Sequence, residues 1–120
     1  TLSRAEELRT DLAAQGVMHV RAMNEPGGPR YDLVINGTSA SLKNEGLQLD
    51  SALFAANFVA YDMMYGAEET VFMSWATASG AGAALDGLGM LVEQAAESFS
   101  LWRGKRPETQ RVIDQIRQSL

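Results

Sequence analysis

A chain of 120 residues with 46% hydrophobic and 21% charged residues has the composition of an ordinary globular protein and length for one core, not two. A formal net charge of −5 and a pI near 4.7 argue against a nucleic-acid or anionic-membrane surface, which needs clustered Lys and Arg. With no cysteine there are no disulfides or thiolate metal sites, the longest apolar stretch (53–61) is too short for a bilayer, and no basic-then-apolar leader opens the chain; a soluble cytoplasmic domain is the expectation.

In chain order, Ser3-Arg4-Ala5-Glu6 has the form of a capping box, with Ser3 as N-cap and Glu6 reaching back. Ala5, Leu8 and Leu12 follow at helical spacing until Gly16. Residues 17–22 read as a short strand, and the run Asn24-Glu25-Pro26-Gly27-Gly28-Pro29 as a loop. Leu33-Val34-Ile35 is an unbroken apolar run expected of a parallel strand buried on both faces, ended by Gly37-Thr38-Ser39. Residues 49–56 read as a short helix and 58–61 as a second buried strand.

Thr70 then caps a helix that turns Phe72, Trp75 and Ala76 inward and stops at Gly80. Residues 81–85 form a short edge strand. Residues 87–103 form a long helix with Leu88, Leu91, Val92, Ala95, Phe99 and Trp102 on one broad face. Pro107 opens a last helix whose Val112, Ile113, Ile116 and Leu120 face inward. Strands alternating with helices give an α/β fold, a parallel sheet with helical crossovers and two helices at the end. Ligands in such sheets sit beyond the carboxyl ends of the strands, which selects Thr38, Ser39, Met63 and Tyr65.

At those positions the sequence resembles the shikimate dehydrogenase family. Tyr31-Asp32-Leu33-Val34-Ile35-Asn36-Gly37-Thr38-Ser39 is similar to the family's strand ending in Asn-Ala-Thr-Ser, with Gly37 in place of the alanine. Tyr61-Asp62-Met63-Met64-Tyr65 resembles its Tyr-Asp-Met-x-Tyr segment. The run from Asp86-Gly87-Leu88-Gly89-Met90-Leu91-Val92 through Gln94-Ala95-Ala96 resembles its final cleft helix, and Leu101-Trp102-x-Gly104 the end of that helix. Thr1-x-Ser3-Arg4-Ala5-Glu6-Glu7-Leu8 is similar to the segment after the second strand of the cofactor domain. The resemblance runs in order over essentially the whole chain.

It implies an incomplete Rossmann-like domain over residues 1–85, the C-terminal part of an NADP-binding unit, and C-terminal helices over 86–120 that border a substrate cleft. It also implies what is elsewhere. The family's catalytic lysine and aspartate lie in an N-terminal domain and its pyrophosphate loop is Gly-rich; this chain has no G-x-G-x-x-G, and Lys43 and Lys105 fall outside any matching motif. No catalytic residue and no metal ligand is therefore expected here, and the N-terminal catalytic domain is an implied partner.

By the same resemblance Arg4 recognises the 2′-phosphate of NADP with Thr1 and Ser3 adding hydroxyls, and a guanidinium beside a helix N-terminus suits a phosphate. Taken alone, Arg4 reads as a solvated surface cation. Thr38, with Ser39, lines the adenine-ribose side, where turn chemistry after a strand is the plainer account. Asn36-Gly37-Thr38 also spells a glycosylation acceptor, discounted at a strand end. Met63 approaches the nicotinamide through its backbone and Gly87 gives the cofactor's ring end room; Met64 is core filling. Tyr65 and Gln94 contact the substrate's hydroxyl or carboxylate groups, Gln94 lying on one helical stripe with Gly87. His19 is assigned nothing.

The reading is NADPH-dependent reduction of 3-dehydroshikimate to shikimate, on the route to chorismate and the aromatic amino acids, by the intact protein, with this chain inactive by itself. A quinate/shikimate dehydrogenase using NAD, a non-catalytic nucleotide-binding module and an inert folding fragment stay open beside it. Pairing into a homodimer through an exposed sheet edge also stays open.

Overall fold

The computed structural model describes residues 1–23, 25–38 and 49–120; Asn24, Ser39 and Lys43 lie outside them. The elements run α1 (Leu2–Asp11), β1 (Tyr31–Asn36), β2 (Phe54–Asp62), α2 (Val71–Ala78), β3 (Ala83–Leu85), α3 (Leu88–Arg103) and α4 (Gln110–Ser119). The three strands form one parallel sheet in the order β1-β2-β3, with α2 packed on β2 and β3.

The core is Leu53, Phe54, Phe58, Ala60, Phe72 and Ala76, flanked by half-buried Tyr31, Val34 and Trp75. Its rings interlock: Phe54 stacks on Phe58 at 4.8 Å and meets Trp75 edge-on at 5.5 Å, and Trp75 stacks on Phe72. Four residues of unbroken strand span about 13 Å, so Phe54 and Phe58 can stack only because β2 is kinked between them. Asn57 supplies the kink with φ 60°, in the left-handed region that asparagine tolerates better than most residues. Pairing passes from Tyr31↔Phe54 to Leu33↔Val59, two residues on β1 against five on β2, and is regular from there to Asn36↔Asp62. Gly82 fits this bulge, because a Cβ there would lie 2.8 Å from the Asn57 carbonyl oxygen.

Several expectations are corrected. The helix expected over 49–56 is a single 3₁₀ turn, Ser51–Leu53, capped by Asp50 and running straight into β2. Residues 17–22 form no strand, since among the described residues no neighbour supplies a ladder; Arg21 instead ties the following loop by donating to the carbonyls of Glu25 and Pro26. The capping box does not form. Thr1 takes the N-cap position, Ser3 lies inside α1, and Glu6 pairs with Arg9 at 2.7 Å rather than reaching back. α1 buries none of its residues.

β1 is buried on one face only: Leu33 and Ile35 stay 53% and 59% exposed. In α3 the buried positions are Leu88, Val92 and Ala96, four residues apart, while Phe99 and Trp102 are exposed rather than part of a continuous inward stripe. α4 starts three residues after Pro107, where both Glu108 carboxylate oxygens accept from the Arg111 backbone N–H. Ile113 and Ile116 are half-buried, but Val112 and Leu120 are exposed.

Candidate active-site edge

All three strands end on the same side of the sheet, and the segments leaving them are tied together by side chains. Asp62, the last residue of β2, is fully buried. Its Oδ1 accepts from Asn36 Nδ2 at 3.2 Å and from the Met64 backbone N–H at 3.1 Å, and its Oδ2 accepts from the Thr70 hydroxyl at 2.6 Å. Asn36, the last residue of β1 and only 2% exposed, accepts at its own Oδ1 from the Thr38 N–H (3.0 Å) and hydroxyl (2.8 Å). Thr70 accepts from the Met73 N–H at 3.2 Å, the N-cap bond of α2. The run from Thr38 to the first turn of α2 is thus continuous, and burial of Asn36 removes it as a glycosylation acceptor.

Backbone contacts complete the edge. The Met63 N–H donates to the Asn36 carbonyl at 3.0 Å and the Gly87 N–H to the Met64 carbonyl at 2.9 Å. Gly87 is buried, and a Cβ on it would stand 2.1 Å from the Met63 carbonyl oxygen. The glycine is therefore required by the loop packed against it, a more immediate motive than room for a ligand. Thr38, Met63 and Gly87 are brought into one neighbourhood; Met63 and Tyr65 are 44% and 39% exposed, and Gln94 is exposed on α3. Thr1, Ser3 and Arg4 form a separate exposed group on the first turn of α1, the Thr1 and Ser3 hydroxyl oxygens 3.4 Å apart.

A second tie closes the edge from the C-terminal side. Arg117 of α4 donates to both Asp86 oxygens, at 2.7 and 2.8 Å, and to the Gly66 carbonyl at 3.3 Å, while Asp86 Oδ1 accepts from the Leu88 N–H at the start of α3. The Arg117 hydrogen bonds hold the Asp86 carboxyl below the usual aspartate range, against partial burial that acts the other way, and the Leu88 N–H adds to the lowering. Beside the pair lies an open cleft of 490 Å³ bordered by Glu68, Glu69, Met73, Leu85 and Arg117, acidic enough to repel an anion. Farther along, Arg106 bridges Glu93 and Glu97 of α3 and the Thr109 hydroxyl donates to Glu93 at 2.7 Å, fixing the turn into α4. Among the described residues no group of His, Asp or Glu is placed to hold a metal, and no helix is long and apolar enough to cross a membrane.

Sequence reasoning gave no role to Asn36, Asp62, Thr70, Asp86 or Arg117 in this edge. The available signal was a polar residue closing each of two apolar strands, at Asn36 and Asp62.

The family description "Shikimate 5′-dehydrogenase C-terminal domain" matches residues 87–117. A protein of Aeromonas hydrophila named shikimate dehydrogenase (NADP(+)) is 47% identical over all 120 residues. This chain is similar to the C-terminal part of the shikimate dehydrogenases. It spans 44% of that relative's length. Among solved structures it is similar to the Ael1 enzyme from Pseudomonas putida, with a TM-score of 0.81 and 38% identity over 96% of this chain and 42% of that one. The shikimate 5-dehydrogenase of Thermus thermophilus, solved with shikimate, matches with a TM-score of 0.58 and 30% identity over 73% of this chain and 32% of that one. The chain has an α/β, partial Rossmann-like fold, with three parallel strands and flanking helices among the described residues.

Proposed function

We propose that the protein carrying this chain reduces 3-dehydroshikimate to shikimate with NADPH, in a cytoplasmic setting. The observation that carries this reading is the scope of the likeness, 120 of 120 residues at 47% identity to a protein named for that NADP-linked activity. NADPH, when bound, supplies the hydride. The chain's own residues bind and orient. Arg4, Thr1 and Ser3 offer a guanidinium and two hydroxyls at the positive end of α1, a donor set that fits a phosphate, and they recognise the 2′-phosphate. Thr38 lines the adenine-ribose side, Met63 borders the nicotinamide through its backbone, and Gly87 keeps that turn seated. Tyr65 and Gln94, both exposed, hydrogen-bond the substrate. Residues 1–85 serve the cofactor and 86–120 the substrate cleft.

Proton transfer belongs to a part of the protein outside these residues, so this chain by itself turns over nothing. Among the described residues β1 is an outer strand, and its backbone edge away from β2 is where further polypeptide adds to the sheet; a second copy pairing there is the competing occupant. The test is an assay of the full-length protein with NADPH or NADH against 3-dehydroshikimate and quinate. Preference for NADPH and 3-dehydroshikimate, with the preference for NADPH over NADH lost in Arg4→Ala, is the expected result. Turnover only with NADH, or none with either nucleotide, overturns it.

A further inference from the structure

We infer that Asp62 is a positioning residue that couples the cofactor-side and substrate-side loops, an inference resting on the functional reading above. A fully buried carboxyl at a strand end is costly unless hydrogen-bonded, and an apolar residue would fill the same space at less expense. Among the described residues, none of the three that hydrogen-bond it belongs to the aromatic core. Asn36 Nδ2 leads to Thr38 on one side, the Met64 N–H belongs to the turn between Met63 and Tyr65, and Thr70 opens α2. The two loops expected to touch the nucleotide and the substrate are therefore held to each other through one side chain, across 26 residues of sequence.

The polarity of the network makes the assignment sharp. Donors approach both oxygens: two N–H groups at Oδ1 and one hydroxyl at Oδ2. Asparagine, of nearly the same shape, offers one acceptor and one donor. Turned one way, its NH2 faces the Asn36 amide and the Met64 N–H. Turned the other way, it faces the Thr70 hydroxyl, which must then reverse and give up its own donation. The first choice takes the acceptor from both loops. The second leaves them an amide oxygen, a weaker acceptor than the carboxylate oxygen it replaces, and costs the Thr70 donation. Either choice weakens the hold on both loops while the core stays packed.

The experiment uses the full-length protein and the variants Asp62→Asn, Thr70→Val and Thr70→Ser. Three quantities are read: the dissociation constant of NADP+ by calorimetry, KM against kcat for the substrate, and amide hydrogen exchange at Thr38 and Met64. Asp62→Asn is expected to weaken NADP+ by about tenfold, to raise substrate KM more than it lowers kcat, and to speed exchange at both amides. Thr70→Ser is expected to match the parent, and Thr70→Val to speed exchange at Met64 while weakening NADP+ by about threefold. A folded Asp62→Asn protein with NADP+ affinity and both exchange rates unchanged overturns the inference. If Asp62→Asn does not fold, the threonine pair decides: Thr70→Val behaving like Thr70→Ser in affinity and exchange overturns it. A parent protein that binds no NADP+ sinks the functional reading alone, and the exchange at Thr38 and Met64 still judges the coupling.

Discussion

Two aspartates guard the same edge of the sheet, and they are held in opposite ways. Asp62 is sealed from solvent and, among the described residues, accepts from neutral donors of three segments; Asp86 keeps some access to water and is gripped by a guanidinium from the last helix. The first tie is short in range and directional, so its value lies in geometry and is insensitive to salt. The second is electrostatic, spans 31 residues, and is open to screening and titration. An edge built this way has a fixed centre, at Thr38 and Met63, and an adjustable flank where α4 meets α3.

The comparison breaks most severely at Asp62→Leu, which strands one buried and two part-buried donors; urea unfolding of the chain is expected to show a loss of about 4 kcal/mol. Gly87→Ala comes next, because its methyl would collide with the Met63 carbonyl lying between the two ties, and about 2–3 kcal/mol is expected by the same measurement. Thr70→Val removes both the α2 cap bond and the donation to Asp62, for about 1–2 kcal/mol, whereas Thr70→Ser stays within about 0.5 kcal/mol of the parent.

Arg117→Met is the mildest. Its drop in unfolding midpoint is expected to fall below that of Thr70→Val and to vanish in molar salt, while the effect of Thr70→Val persists there; a salt-independent drop would show that packing of the Arg117 stem, not charge, does the holding. Acid distinguishes the ties too. Because Arg117 lowers the folded-state pKa of Asp86, the pair's contribution is complete above the unfolded aspartate value of about 3.9 and is lost as pH falls through the lower folded value. The gap in stability between the parent and Arg117→Met is therefore expected to close on acidification, as followed by thermal melts from neutral to strongly acidic pH.

Much of the frame was legible because its signals are local. Thr70 caps α2 as its side chain and position dictate, β3 and α3 fall within two residues of expectation, and the run Leu33-Val34-Ile35 is a parallel strand. The failures share a physical cause. Whether Glu6 reaches back to the helix start or sideways to Arg9 is a contest between interactions of similar strength, which spacing does not resolve. Residues 17–22 have strand character but no partner among the described residues, and the periodicity of 49–56 fits a helix as well as a kinked strand. The ligand-facing candidates Thr38 and Met63 follow from the rule about strand ends. Asn36, Asp62 and Arg117 do not, since their work depends on cross-strand register and on a helix arriving from the far end of the chain.

The kink at Asn57 has an outcome for how this domain tolerates change. Three surplus residues are absorbed there, upstream of every pair from Leu33↔Val59 to Asn36↔Asp62. An insertion or deletion around residues 55–56 would be taken up as slack, leaving alternation of faces downstream untouched, whereas one placed after Val59 would invert the remaining side chains and swing Asp62 out of the interior. The bulge works as an expansion joint: a change of length at one end of the strand leaves the other in phase.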